Sequence, residues 1–128
     1  MNLAQAYCWD GDLEQAREYA AQALEELDEQ LKLHLKNGAL YRSRRAMALA
    51  ILGREDEAWE ELKAVRAMAL CENCDYGKCK DADIFEANMY EVFGDYRRAM
   101  ELHRQGRELW PDDLDFASGI ARMKRKGF

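Results

Sequence analysis

Apolar residues recur at intervals of three and four along most of the chain, the period of a helix with one buried face. Leu3, Ala4 and Tyr7 share such a face in a short segment over residues 2–9. Leu13, Ala16, Ala20, Ala23, Leu24, Leu27 and Leu31 carry the period from Leu13 to about Lys36, where Asn37-Gly38 is a stop signal. Leu40, Ala46, Met47, Leu49 and Ala50 define a third helix over 40–52. Ala58, Leu62, Val65 and Met68 or Ala69 define a fourth, over about 55–70. The pattern breaks between Cys71 and Cys79. Asn73, Asp75 and Gly77 are turn formers there, which predicts a compact connecting loop. A fifth helix, capped by Asp81 or Asp83 and ending near Phe93, turns Ile84, Ala87, Tyr90 and Met89 or Phe93 inward. A sixth follows Asp95 and stops at Leu109 or Trp110, because Pro111 forbids continuation. A last helix, capped by Asp112 or Asp113 and running over about 114–126, offers Leu114, Ala117, Ile120, Ala121 and Met123 to cover the end of a stack. No alternating strand pattern is present, so the expected fold class is all-α.

One spacing occurs three times. Ala4, Gly11 and Ala16 stand seven and five residues apart, as do Ala46, Gly53 and Ala58, and Ala87, Gly94 and Ala99. Each Gly ends one periodic segment, and Asp12, Arg54 or Asp95 opens the next. This predicts three helix hairpins with a small residue on each helix where the two cross. The three Gly lie 42 and 41 residues apart, a period that signals stacked supersecondary units. A first helix of about two turns is marginal alone, so the chain reads as beginning inside a repeat, either as a fragment of a longer protein or with a neighbour completing it.

Composition narrows the class. With 48% apolar and 34% charged residues, one Pro and eight Gly, the chain is neither disordered nor membrane-like. Its 128 residues suit a single domain. The net charge of −6 argues against general binding to a phosphate backbone. The basic run Arg122, Lys124, Arg125 and Lys126 suits the negative end of a last helix. Met1 to Asp12 lacks the basic segment and apolar core of a signal peptide, and no apolar run reaches the ~18 residues of a membrane span. Four Cys without secretory features point to a reducing, cytoplasmic setting in which thiols stay free or bind metal.

The repeated residues resemble the tetratricopeptide repeat. In the first unit the pattern is Leu3-Ala4, Tyr7, Gly11-Asp12, Ala16, Ala20 and Ala23. In the third it is Ala87, Tyr90, Gly94-Asp95-Tyr96, Ala99 and Pro111; the second, with Ala46, Leu49, Gly53-Arg54, Ala58 and Leu62, is weaker. The repeats span about 1–38, 39–79 and 80–110, followed by a capping helix over 112–126. They exceed the family period of about 34 residues. The excess falls between hairpins: two added turns of helix in the first unit and the Cys-bearing loop in the second. The resemblance implies a right-handed α–α superhelix whose first helices line a groove that binds a peptide or protein.

Positions on those first helices that point away from the small packing residue are then candidate partner contacts: Gln5, Trp9, Arg44, Met47, Asn88 and Glu91. The family's clamp for a C-terminal carboxylate uses Lys and Asn at places that here hold Met1, Gln5 and Arg44, so the resemblance does not extend to that ligand mode. Arg42, Arg44 and Arg45 crowd one and a half turns, and either grip an acidic peptide or pair with Glu residues of this chain. Trp9, Met47 and Phe85 form an apolar anchor if exposed together, and core packing otherwise.

Cys71-x2-Cys74-x4-Cys79 is the sharpest chemical feature. Thiolates at these gaps suit zinc, with a fourth ligand from His34, Asp81, Asp83 or His103. Free thiols packed under a loop, or a Cys71–Cys74 disulfide, are the alternatives. No phosphate loop, HExxH or nucleophile elbow is present, so no catalytic residue is assigned. His103 takes a repeat packing position, where a satisfied or half-buried His is expected rather than a catalytic one. Association into a homo-oligomer is open to the chain through its terminal apolar residues.

Overall fold

The computed structural model describes residues 3–33, 38–67, 74–75 and 78–128, and of 38–40, 74–75 and 78–79 the backbone alone. The described residues form seven α-helices and one two-residue antiparallel ladder. The chain divides into two compact units, Met1–Ala69 and Leu70–Phe128.

Unit 1 holds α1 (Leu3–Trp9), α2 (Leu13–Leu33), α3 (Gly38–Ile51) and α4 (Glu55–Ala67). Consecutive helices pack on one another, and α1 also touches α3. α3 therefore meets three helices, which explains why every residue from Ala46 to Ile51 is buried. A one-faced stripe would have left Ala48 exposed. α3 begins at Gly38, two residues before the expected start. Along α2, Ala16, Ala20 and Leu27 are buried as the period predicts, whereas Leu13 is 53% exposed.

Unit 2 holds β1 (Cys74–Asp75), β2 (Lys78–Cys79), α5 (Lys80–Val92), α6 (Tyr96–Leu109) and α7 (Leu114–Arg125). α6 packs against both α5 and α7, which also touch each other. α5 begins at Lys80, so Asp81 and Asp83 lie inside its first turn rather than at its cap. Lys80 pairs with Asp113, the N-cap of α7, at 3.1 Å. The Asp113 carboxylate holds the Lys80 ammonium above its usual range.

The three hairpin turns share one geometry. Gly11, Gly53 and Gly94 have φ of 84°, 80° and 85°, in the left-handed region. At each, the Gly N–H donates three residues back, to Cys8, Ala50 or Glu91. The next N–H donates five residues back, from Asp12 to Tyr7, Arg54 to Leu49 and Asp95 to Tyr90, at 2.9–3.0 Å. This paired closure satisfies carbonyls that a helix end leaves open, and it needs the left-handed residue that Gly supplies most cheaply. Asp12 and Asp95 then cap the second helices, accepting from Gln15 N at 3.2 Å and Arg98 N at 3.3 Å. Arg54 cannot cap in that way and instead pairs with Glu57. Beside each turn the small residues Ala4, Ala16, Ala46, Ala58, Ala87 and Ala99 are buried, letting the helices approach closely.

The inward face of α7 differs from expectation. Phe116, Gly119, Ile120 and Met123 are buried, whereas Leu114 is 76% exposed and Ala117 and Ala121 are also exposed. The reason lies in two helical glycines. A Cβ on Gly106 would stand 2.1 Å from the Phe116 ring, and one on Gly119 would stand 2.2 Å from the His103 ring. Each ring fills the space that a missing side chain leaves on the facing helix. Phe116 stacks on Trp110 at 5.9 Å and meets His103 edge-on at 6.2 Å. These rings lock α6 to α7.

Candidate functional site

In unit 1 the candidate surface is built from the first helices of two hairpins, α1 and α3. The three arginines of α3 separate in role. Arg42 reaches Glu61 on α4 at 3.2 Å, and Arg45 bridges Asp28 on α2 at 2.7 Å and Glu61 at 3.2 Å. These three ion pairs tie α3 to α2 and α4 and are partly shielded from solvent. Arg44 alone of the trio is exposed, since a helical residue one position away points about a quarter-turn elsewhere. Trp9, at the end of α1, is half-buried. Gln5 is 7% exposed and Met47 fully buried. Met47 therefore belongs to the core of unit 1. Phe85, in unit 2, is half-buried.

In unit 2 the predicted contacts Asn88 and Glu91 lie on α5 but do not face open solvent; both are buried. Arg122 of α7 grips the Glu91 carboxylate with two hydrogen bonds, Nε to Oε2 at 2.9 Å and Nη2 to Oε1 at 3.2 Å. The same Nη2 donates to Asn88 Oδ1 at 3.4 Å. A planar guanidinium across a carboxylate is a strong, oriented pair, and its near-complete removal from water makes each partner dependent on the other. His103 of α6 stands behind it, with Nε2 3.7 Å from Glu91 Oε1. His103 is fully buried, and among the described residues neither ring nitrogen has a hydrogen-bond partner, so it is neither the satisfied nor the half-buried histidine expected. Glu91, Asn88, His103 and Arg122 thus join all three helices of the unit at one polar point.

No family model, curated protein or solved structure matches this chain. The unit 2 cluster has a carboxylate and an imidazole close together, but both carboxylate oxygens are occupied by Arg122. Its geometry is that of a pin between helices.

Sequence reasoning placed Asn88 and Glu91 on α5 correctly and missed Arg122 as their partner, reading it only as a helix-end cation. A legible signal existed. Gly106 and Gly119 interrupt strong helical patterns without standing at a turn, and such glycines mark close approach by something on a facing element. Here it is the aromatic and imidazole rings around the cluster.

Of the candidate metal ligands, Cys71 and His34 lie outside the described residues. Cys74 and Cys79 fall on β1 and β2, which pair within the stretch expected to be a compact connecting loop. Among the described residues, no group of three or more His, Cys, Asp or Glu residues is arranged to hold a metal ion. Cys8, on α1, is half-buried. No described helix is long and apolar enough to cross a membrane.

Proposed function

We propose that this chain is a non-catalytic interaction module of tetratricopeptide-like hairpins, parts of a right-handed α–α superhelix, that binds a protein or peptide along its first helices. The supporting observation is the threefold recurrence of one turn geometry at Gly11, Gly53 and Gly94, with buried alanines at each crossing. Within unit 1 the first helices α1 and α3 touch each other, the kind of side-by-side placement repeat proteins use to bind extended partners.

Arg44 and Trp9 are the contacts we assign to the partner. Arg44 is exposed while its neighbours are engaged in ion pairs, so it is the one arginine of α3 free to turn to a ligand carboxylate. Trp9 adds partly exposed aromatic area, which interfaces favour. Gln5, Met47, Asn88 and Glu91 support the helices from within. An acidic or amphipathic protein segment fits this pairing of a cation with an aromatic ring. The chain's own net charge of −6 disfavours nucleic acid.

A photo-crosslinking residue at position 44 tests this, with position 25 as control, since Glu25 is exposed on the second helix α2. Position 44 is expected to capture a defined partner that position 25 does not, and Arg44→Glu is expected to weaken that partner's binding at least tenfold. Equal capture at both positions, or unchanged binding by Arg44→Glu, refutes the assignment.

A further inference from the structure

β1 and β2 pair antiparallel, with Cys74 opposite Cys79 and Asp75 opposite Lys78. Directly opposed residues of an antiparallel pair occupy the same face of the ladder, with Cα atoms about 4.5 or 5.5 Å apart according to pair type. A disulfide spans Cα atoms about 4.4–6.8 Å apart. Either pair type therefore meets the requirement without a change of register. The spacing of the sequence alone suggests Cys71 and Cys74 as the oxidised pair; the ladder selects a different one.

We propose that Cys74 and Cys79 form a reversible redox pair, closed by thiol–disulfide exchange with a small-molecule disulfide such as oxidised glutathione. Cys79 immediately precedes Lys80, the first residue of α5. Its thiolate attacks one sulfur of oxidised glutathione, the glutathione S–S bond breaks, and one glutathione leaves. Cys74 then attacks the mixed disulfide at the Cys79 sulfur and expels the second glutathione. Two protein thiols are oxidised, one glutathione disulfide is reduced, and the two thiol protons end on the two glutathione thiols.

Two opposed residues suffice for this chemistry, whereas a closed zinc site needs four ligands. The bond would fasten the strand that leads directly into α5, whose first residue is already held to α7 through Lys80 and Asp113. A pair of this kind stays open in a reducing compartment and closes when the glutathione pool is oxidised, as cytosolic disulfides that act as sensors do.

The test uses the full chain, purified without chelator, equilibrated in reduced or oxidised glutathione and quenched with iodoacetamide. Trypsin cuts after Arg66, Lys78 and Lys80, so Cys79 leaves on the peptide 79–80 and Cys71 and Cys74 leave together on 67–78. In oxidised buffer these two peptides are expected to be disulfide-linked, with fragmentation placing the bond at Cys74. Dithiothreitol should release them, Cys71→Ser should keep the link and Cys74→Ser should abolish it. A bond within peptide 67–78, a link that survives in Cys74→Ser, or thiols that stay free in oxidised buffer would each overturn the proposal. Co-purified zinc that protects the three thiols from oxidation would also overturn it, in favour of a metal site.

Discussion

Glu91 shows how one side chain can be mistaken for another kind. On the α5 helix it stands where a groove contact is expected, yet its side chain is only 1% exposed. A carboxylate so far from water is tolerable only with a matched cation, and Arg122 supplies both hydrogen bonds. Removing the cation alone strands the buried charge. Arg122→Met is therefore expected to destabilise unit 2 by about 3–5 kcal/mol, read from urea denaturation. Adding Glu91→Leu should recover most of that loss, because the unpaired charge is then gone. If the double variant is as unstable as the single one, the pair is not what holds α7 to α5. His103 contrasts with Glu91. Among the described residues its two buried ring nitrogens make no hydrogen bond, and the ring fills the hollow above Gly119 beside the Glu91 carboxylate.

At the scale of elements, the hairpin turns were legible and the α6–α7 contact was not, for one physical reason. A Gly followed by Asp at a helix end is a local signal, and the backbone closure it permits involves only residues within five positions. The buried faces of α4 and α6 were also legible, because Ala58, Leu62 and Val65, and Ala99 and His103, keep the helical period. The face of α7 is written partly in absent side chains, which periodicity cannot weigh. The ladder at 74–79 escaped notice because two residues per strand are too few to alternate. The arginines of α3 looked alike in sequence; only the positions of Asp28 and Glu61 on neighbouring helices divide them. Gly106→Ala measures the α6–α7 lock directly. The added methyl gains up to ~1 kcal/mol of helix propensity but collides with Phe116, whose ring is held by Trp110 and His103. Overpacking of this kind costs about 1–3 kcal/mol or more, so a net loss of stability is expected in thermal or urea unfolding. A neutral or stabilised variant would mean that Phe116 can move aside.

At the scale of the molecule, the chain comprises two compact units, each with its own buried core. Unit 1 is centred on α3, which is buried on all sides over its last six residues and is tied to α2 and α4 by Arg42 and Arg45. Unit 2 is centred on α6, where Ala99, Met100, Ile120 and Met123 form a common cluster with Tyr90 and Tyr96 against it. Cooperative opening tends to follow such units. Gly106→Ala provides a local perturbation confined to the second. In native-state hydrogen exchange, the amides of α6 and α7 are expected to exchange faster in that variant by the factor its stability loss implies, about tenfold per 1.4 kcal/mol. The amides of Ala46 to Ile51 in α3 should keep their original rates. Equal acceleration in both sets would show that the two units open together as one cooperative body. Acceleration confined to α6 and α7 would establish unit 1 as a separately stable platform, on which Arg44 and Trp9 keep their positions while the C-terminal helices open and close.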